Sequence, residues 1–539
     1  MTLTTWETLA AKKRQALRNS IPPEWIVPEH LLPPDSQEDV TGFPESSGWF
    51  TPEELAITNS TALELLPKLA SGELKSETVT RAFCKRAAAA HQLTNCLSET
   101  CFPRALETAQ KLDTHLSQTG QPIGPLHGLP ISLKDNFNLA GLDATVGFVS
   151  HIGDAAKSDS ALAQLLAKAG AVFYVKTNVP TAMMIAESVN NVFGRTVSPL
   201  NRNLTSGGSS GGESALIAFK GSPWGIGTDI GGSLRIPAAC TGIFTLRPSF
   251  GRFPTLGCRS GMPGQEAVQS VNGPLTRTLD DLAFWAKTVV DSEPWHADPR
   301  CLPIPWRETA LETNPGSCKL KIAVMWDDGL AKPTPPVSRA LRETVEKLKA
   351  KGHEIVEWSS VDQDEGGRLL KRMFLADGGK AIRKEIERSG EPWMEELAMY
   401  ETATEIGAYE YWQLHLDRVA FQKKYLDRWV ASGIDAILCP TTPYSSVENS
   451  KFKHVGYTGV YNVLDYSCIS FPCGIKVDSK IDSAPGDTYE PLTELDRTIQ
   501  AEYNAEAVHG MPINLQLVGR RLEEEKVIAM VKVVLDATS

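Results

Sequence analysis

The chain has 539 residues, of which 42% are hydrophobic and 22% are charged, a composition typical of a globular protein with one large domain or a few smaller ones. The formal net charge of −11 argues against a nucleic-acid-binding surface and against adhesion to anionic membranes. The sequence shows neither a secretory signal nor the roughly 18 consecutive apolar residues of a membrane span, so we expect a cytoplasmic protein that does not insert into membranes.

The first 50 residues are expected to form a helix and then an extended arm. Trp6, Leu9, Ala10 and Leu17 would lie on one side of an amphipathic helix. Residues 21–50 are rich in proline and lack periodicity, which indicates an extended segment lying on the body of the protein.

Helix signals follow directly after this arm. Thr51 is a typical helix cap, and Pro52 is suited to the first turn. A second helix is expected to begin with the capping-box spacing at Thr61 and to end at Gly72. A third helix is expected over 76–93.

From about residue 130 the sequence alternates between strands and helices, which is typical of an α/β protein. We expect a mixed, mainly parallel sheet covered by helices on both faces. The segment 290–317, rich in Pro and Asp, is a candidate boundary. In the strand "PISLKD", the period of two places Ile131 and Leu133 on one face and Ser132 and Lys134 on the other.

Two segments rich in glycine and serine, "TSGGSSGGES" (205–214) and "GIGTDIGGSLR" (225–235), stand out. A phosphate-binding loop needs a lysine after the glycines, whereas Glu213 occupies that position and would repel phosphate. The first segment also satisfies the G-x-S-x-G pattern of a nucleophile elbow, but a polar loop precedes it instead of a strand. A flexible linker is disfavoured because apolar sequence follows both segments.

The second segment has the features of an oxyanion hole. Glycines at a helix start let backbone N–H groups converge on one point, where the helix dipole also favours negative charge. We therefore expect the amides of Ile230, Gly231 and Gly232 to form an oxyanion hole beside Ser233.

No metal or cofactor site is expected. The ten cysteines are scattered without a CxxC pair, which favours free and mostly buried thiols. The ten histidines lack the spacing of metal ligands.

Three motifs, "LHGLPISLKDNF", "GGSSGGES" and "GIGTDIGGSLR", together resemble the amidase-signature family of Ser–Ser–Lys hydrolases. Lys134, Ser209 and Ser233 follow one another at 75 and 24 residues, as that family arranges its key positions. The resemblance covers most of the chain; its two ends resemble the fungal acetamidase branch, and the core also resembles fatty acid amide hydrolase. It implies one large fold, with the catalytic domain at 51–539 and a signature core at about 75–290.

The resemblance implies a role for each key residue. Ser233 is the expected nucleophile, Ser209 the bridging serine on a cis peptide bond after Gly208, and Lys134 the base. A lysine acts as a base only when neutral, and burial favours that form. The expected supporting residues are Ser210, Thr228, Asp229 and Arg235, the last two as an ion pair that braces the oxyanion loop. The expected substrate-binding residues are Met183 and Met184 for the acyl group, and Tyr457 and Tyr461 for the leaving group.

The expected function is hydrolysis of a carboxamide to an acid and ammonia or an amine, without a cofactor, on small to medium aliphatic or aromatic amides. The partner is a small-molecule amide, and a homodimer is possible. Three alternatives stay open: the amidase subunit of a glutamine-dependent tRNA amidotransferase, an enzyme like fatty acid amide hydrolase, and a non-catalytic binding protein. The intact Lys134, Ser209 and Ser233 disfavour the third.

Overall fold

The structure, a computed structural model, describes residues 5–308, 319–486 and 488–538. An 11-stranded sheet and a separate two-stranded ribbon form its β-structure. The strands are β1 (Leu97–Thr100), β2 (Pro130–Lys134), β3 (Val172–Thr177), β4 (Val189–Asn190), β5 (Gly194–Arg195), β6 (Trp224–Asp229), β7 (Phe244–Arg247), β8 (Val271–Thr276), β9 (Lys321–Val324), β10 (Glu354–Glu357), β11 (Ala436–Pro440), β12 (Cys468–Lys476) and β13 (Pro512–Val518). Cys318 and residues 309–317 of the candidate boundary lie outside the described residues.

Helices lie around this sheet. They are α1 (Trp6–Asn19), α2 (Phe43–Ser46), α3 (Pro52–Asn59), α4 (Ala62–Ser71), α5 (Ser76–Thr94), α6 (Phe102–Thr119), α7 (Ala161–Lys168), α8 (Gly211–Ala218), α9 (Arg235–Thr241), α10 (Leu279–Asp291), α11 (Pro335–Ala350), α12 (Gln363–Phe374), α13 (Lys380–Ser389), α14 (Ala398–Glu401), α15 (Ala408–Ser432), α16 (Gly456–Leu464), α17 (Glu494–Ala501) and α18 (Glu524–Thr538). In the described ranges, no helix combines the length and the apolar character needed to cross a membrane.

The strand order in the large sheet is β1-β3-β2-β6-β8-β7-β12-β13-β11-β9-β10. Parallel pairs form two blocks, β3–β2–β6 and β11–β9–β10, and the other neighbours are antiparallel. Each block is connected through helices, as parallel neighbours require. The predicted α/β fold with a mixed, helix-covered sheet is confirmed, and its parallel pairing is confined to the two blocks.

Residues along β11 show that both faces of the sheet are covered. Ala436 and Leu438 lie in a hydrophobic cluster with residues of α10, α11 and α18, whereas Ile437 and Cys439 lie in a second cluster with residues of α12, α15 and α16. Because side chains alternate along a strand, the two clusters lie on opposite faces of the sheet. The second cluster adjoins the site described below.

The local signals of the first helices are confirmed. Thr51 and Thr61 each form a capping box, and Gly72 ends its helix with a φ of 76°. Ala10 and Leu17 are buried on one side of α1. The nine described cysteines are free, and eight of them are buried. The division of the chain at residue 50 stays a prediction.

Candidate active site

Lys134, the last residue of β2, lies in the protein interior. The strand directs Ser132 and Lys134 away from the hydrophobic cluster that Leu133 joins, so the predicted shared face is confirmed. The Nζ atom of Lys134 lies 2.7 Å from Ser209 Oγ and 2.7 Å from Thr228 Oγ1. The sequence named Thr228 as a supporting residue but did not show that it contacts Lys134, because β2 and β6 become neighbours only in the folded sheet.

Ser209 lies in the loop that leads into α8. The peptide bond between Gly208 and Ser209 is cis, as the resemblance implies. The next residue, Ser210, holds this loop against β6, since its Oγ lies 3.3 Å from both the carbonyl oxygen and the amide nitrogen of Thr228. The Ser210 N–H also donates to the carbonyl oxygen of Ser233 over 3.2 Å. Ser210 therefore links the loop of Ser209 to the segment of Ser233.

Ser233 lies between β6 and α9 and is partly exposed. It lines the same cavity as Gly208 and Gly231. Lys134 is in direct contact with Ser209, and Ser210 connects the loop of Ser209 to Ser233. The fold thus brings the three candidate catalytic residues, which are far apart in sequence, into one neighbourhood.

The predicted oxyanion hole needs one correction. The Gly232 N–H donates a hydrogen bond of 2.8 Å to Asp229 Oδ1, so this amide is directed at a carboxylate and not at a substrate oxygen. The φ of Gly232 is 135°, and a Cβ there would lie 2.3 Å from Thr458 Oγ1, so the turn requires glycine. For Ile230 and Gly231, the N–H groups donate no hydrogen bond to any residue in the described ranges, which leaves both amides available.

Asp229 and Arg235 form the predicted ion pair, with Arg235 Nε 3.0 Å from Asp229 Oδ2 and neither side chain exposed. Burial alone would raise the pKa of Asp229, but the Arg235 guanidinium outweighs it and, with a hydrogen bond from Asn462, holds that pKa well below its usual range. The ionised carboxylate also accepts the N–H of Leu234 over 3.2 Å. Asp229 therefore anchors the turn on both sides of Ser233.

The base Lys134 and a buried carboxyl group near it, Glu213, both have pKa values close to neutral pH. Burial lowers the pKa of Lys134 to about 7, although the charge of Asp229 opposes this shift. Glu213, in α8, accepts hydrogen bonds from the hydroxyls of Ser132 over 2.6 Å and Thr177 over 3.0 Å. Burial raises the pKa of Glu213 to about 8, so its carboxyl is largely protonated at pH 7.

A cavity of about 360 Å³ reaches Ser233. Met183 and Met184 line it, where they were expected to contact an acyl group. Phe374 lies across the cavity from the oxyanion loop and gives that wall an apolar surface. A Cβ built on Gly231 would lie 3.6 Å from Phe374 Cε2. The cavity is lined mainly by apolar residues, and Asp364, Arg368, Lys371 and His454 also border it.

Sequence reasoning missed the α12 wall of this cavity, which includes Gly367, Leu370 and Phe374. The helical period of the apolar residues in α12 predicts an amphipathic helix, but it does not show what the apolar side faces. His454 lines the same cavity and pairs with the buried carboxylate of Asp328.

Tyr457 and Tyr461, which the sequence predicts to contact the leaving group, do not line the cavity that reaches Ser233. Both side chains are buried in the second hydrophobic cluster, and the Tyr457 hydroxyl donates to the carbonyl oxygen of Ala331 over 2.6 Å. The cavity is lined instead by Gly459 and Val460 on another side of α16. Residues one position apart on a helix point about 100° apart, so the rotation of α16 decides which ones reach the substrate.

Two other cavities help to place the site. One of about 120 Å³ borders Thr228 and Met183 and has polar groups from Asn136 and Arg300 in its wall. Another, of about 710 Å³, is larger than the cavity at Ser233 but borders none of Lys134, Ser209 and Ser233. The position of the reactive groups, and not cavity volume, therefore marks the site.

In the described part of the chain, no three His, Cys, Asp or Glu side chains are grouped so that they could hold a metal ion.

Comparisons with known proteins point in one direction. A family model named Amidase matches residues 78–528. The acetamidase of Emericella nidulans is 41% identical over 537 residues, covering 98% of this chain and 97% of that protein. The acetamidase of Aspergillus oryzae is 40% identical and covers 98% of both chains. A solved structure of a fatty acid amide hydrolase is 35% identical, has a TM-score of 0.93, and covers 99% of this chain and 95% of that one.

Proposed function

This chain belongs to the amidase-signature family, whose members hydrolyse amide bonds, and from this premise we propose that it cleaves a carboxamide through an acyl-enzyme on Ser233. The observation that carries the proposal is the fully buried Lys134, whose pKa is lowered to about 7 and whose Nζ lies 2.7 Å from Ser209 Oγ. A neutral lysine beside a serine relay supplies the base that a serine nucleophile requires.

The acylation half-reaction begins with the Ser233 hydroxyl. As its Oγ attacks the amide carbon, its proton passes to Ser209 Oγ, and the Ser209 proton passes to neutral Lys134. The negative charge on the former carbonyl oxygen faces the N–H groups of Ile230 and Gly231. The C–N bond then breaks, and the proton returns from Lys134 through Ser209 to the leaving nitrogen.

Deacylation repeats the sequence with water. Water attacks the ester carbon of the acyl-enzyme, its proton moves to Lys134 through Ser209, and the Ser233–acyl bond breaks as Ser233 Oγ regains a proton. The products are a carboxylic acid and ammonia or an amine. Asp229 supports both halves of the reaction because it holds the turn that presents the amides.

The proposed substrates are amides with small to medium apolar or aromatic acyl groups. A cavity of about 360 Å³ lies near the lower end of the roughly 300–1,000 Å³ range of ligand pockets. Its methionine and phenylalanine side chains suit an apolar group of variable shape. The two fungal acetamidases to which this chain is similar are named for a small amide.

A second candidate is hydrolysis of long-chain acyl amides. Its support is the likeness to a fatty acid amide hydrolase over nearly the whole of both chains, together with the apolar cavity at Ser233. Comparing kcat/KM for butyramide, benzamide and oleamide separates the two candidates. A kcat/KM for oleamide far above the other two would favour the second candidate. No turnover of any simple amide by the isolated chain would favour an amidotransferase subunit.

The test of the catalytic role is Ser233→Ala, which should lower kcat by at least about 10⁴-fold with no change in the folded state. A fluorophosphonate should label Ser233 in the unchanged protein, as mapped by peptide mass spectrometry. Ser71→Ala, at the exposed end of α4, is the matched control and should keep full activity. Labelling of Ser209 or Ser210 instead of Ser233 would contradict the proposal.

A further inference from the structure

The cavity that reaches Ser233 contains a histidine that the proposed mechanism does not use. His454 lines this cavity and is buried. Its Nε2 atom pairs with Asp328 Oδ2, and the other oxygen of that carboxylate accepts the N–H groups of Leu330 and Ala331. Because a carboxylate only accepts hydrogen bonds, Nε2 carries the proton of the neutral imidazole and Nδ1 keeps a lone pair. Within the described ranges, His454 Nδ1 makes no hydrogen bond.

The imidazole is held in one orientation. A Cβ built on Gly456, the first residue of α16, would lie 2.4 Å from both Asp328 Oδ2 and His454 Nε2. Glycine at this position therefore lets the His454–Asp328 pair lie against the start of the helix. A polar group fixed in this way loses little conformational entropy when it binds a ligand.

Helix α16 connects His454 to the oxyanion loop. Thr458 Oγ1 donates a hydrogen bond of 2.7 Å to the carbonyl oxygen of Gly231. His454 precedes Thr458 by four residues, a separation of ~6 Å along a helix. Val455 and Gly456, which lie between them, also border the cavity. An acyl group that is attached to Ser233 and lies along α16 therefore brings its distal atoms to His454.

A second polar side chain lies near this end of the cavity. Gln363, the first residue of α12, lines the cavity and is 2% exposed. Its Nε2 lies 3.0 Å from Met325 Sδ, three residues before Asp328, so one segment contacts both polar side chains. Among the described residues, Gln363 Oε1 has no hydrogen-bond partner. A buried acceptor without a partner is unfavourable, and a bound hydrogen-bond donor would remove that cost.

We propose that the preferred substrates carry a hydroxyl group at the distal end of the acyl group, and that this hydroxyl donates a hydrogen bond to His454 Nδ1. The inference rests on the proposed function and narrows its substrate class. Leu370 and Phe374 line the cavity and contact the apolar middle of the acyl group.

The charges that border the cavity favour a hydroxyl over an ammonium as the distal donor. Asp364 pairs with Arg368, so these two charges offset each other. Lys371 has no carboxylate partner in the described part of the chain. Its positive charge would repel a distal ammonium but not a neutral hydroxyl.

The test compares kcat/KM for ω-hydroxy amides of about four to eight carbons with kcat/KM for the unsubstituted amides of the same length. At one or more lengths the unchanged protein should favour the hydroxy amide by about 3–10-fold. His454→Phe keeps an aromatic ring but removes the acceptor, so it should lower kcat/KM for that hydroxy amide by about 10-fold or more. The loss should appear mainly in KM, because the contact is made equally in the bound substrate and the transition state. The same variant should keep kcat/KM for the unsubstituted amide within about 3-fold.

Two further variants separate the hydrogen bond from a structural role. His454→Asn places a side-chain oxygen near the position of Nδ1 and should restore part of the preference for the hydroxy amide. His296→Phe, at a side chain that is 74% exposed and outside the cavity, is the matched control and should keep the full preference. Fluorophosphonate labelling of Ser233 shows that each variant is folded.

Three outcomes overturn the inference. They are an unchanged protein with no preference at any chain length, a preference that survives in His454→Phe, and a higher kcat/KM for ω-amino amides than for ω-hydroxy amides. Each of these leaves the amidase activity in place. If neither series were hydrolysed, the proposed function itself would fail and this inference with it.

Discussion

Two buried carboxyl groups lie near Lys134, one at the end of β6 and one in α8; at neutral pH the first is ionised and the second is largely protonated. Asp229 and Glu213 are both fully buried. Burial raises the pKa of Glu213 to about 8, whereas the pKa of Asp229 is held well below its usual range. Burial alone therefore does not decide whether a carboxyl group in this protein is charged.

The difference comes from the hydrogen-bond donors around each group. Asp229 receives the Arg235 guanidinium, the Asn462 amide and the N–H groups of Gly232 and Leu234. Among the described residues, Glu213 accepts hydrogen bonds from two hydroxyls, which do not offset the cost of burying a charge. Asp229 is thus an ionised carboxylate that holds its turn in place, which we call the charged brace, whereas Glu213 is a neutral, hydrogen-bonded carboxyl group.

Lys134 is the amine whose pKa both carboxyl groups influence. Lys134→Met keeps the length of the side chain but removes the base, so kcat on an amide should fall about 10²–10⁴-fold or more. The loss should be smaller on a phenyl ester, because a phenolate leaves without the proton that an amine needs. Steady-state kinetics on an amide and an ester of the same acid measure both. Unchanged amide turnover would assign the base to another residue.

Asp229→Asn tests the charged brace. It leaves the buried Arg235 without its counter-charge, which should lower the free energy of unfolding by about 3–5 kcal/mol. It should also lower kcat, because the turn that presents Ile230 and Gly231 loses its anchor. Urea unfolding and amide kinetics provide the two measurements. A loss below about 1 kcal/mol would mean that Asp229 is no more important to stability than Glu213, and the contrast would fail.

The pH dependence tests the lysine directly. Lys134 with a pKa of about 7 is protonated in acid, so kcat/KM should fall on the acid side with an apparent pKa near 7. Between about pH 7 and 10.5, Lys134 is mostly neutral in the folded protein but protonated in the unfolded chain. The contribution of Lys134 to the free energy of unfolding therefore rises with pH across that window. Lys134→Met should abolish this rise in urea unfolding. If the acid limb of kcat/KM lay near pH 5, a carboxylate would replace Lys134 as the titrating group.

Glu213→Gln should have the smallest effect, because it replaces a largely neutral carboxyl by a neutral amide of similar shape. At about pH 4, where the carboxyl is mostly protonated in both the folded and the unfolded state, the free energy of unfolding should change by no more than about 1 kcal/mol. In the unchanged protein the pKa of Glu213 is raised from 4.5 to about 8, so its contribution to stability falls as pH rises across that interval. The variant should lack that fall. A loss above about 3 kcal/mol at pH 6 would show that Glu213 is ionised and paired.

Local features of this protein could be predicted from sequence because they depend on residues close together in the chain. The capping boxes at Thr51 and Thr61 join residues three apart, and the shared face of Ser132 and Lys134 follows from the pleat of a single strand. The residues of the three motifs, together with their order and spacing, carried the resemblance to the family. These relations hold wherever the segment lies in the fold.

Tertiary structure decided the features that join distant segments. Lys134 contacts Ser209 across 75 residues and Thr228 across 94, and only the sheet order brings them together. The antiparallel strands between the two parallel blocks were not visible from the alternation of helices and strands. The rotation of a helix against its neighbours cannot be predicted from its own sequence pattern. The sequence therefore did not show that Phe374 lines the cavity or that Tyr457 packs in the second hydrophobic cluster. The hydrogen bond from the Gly232 amide to Asp229 joins residues three apart, but it depends on the conformation of a turn that no sequence pattern specified.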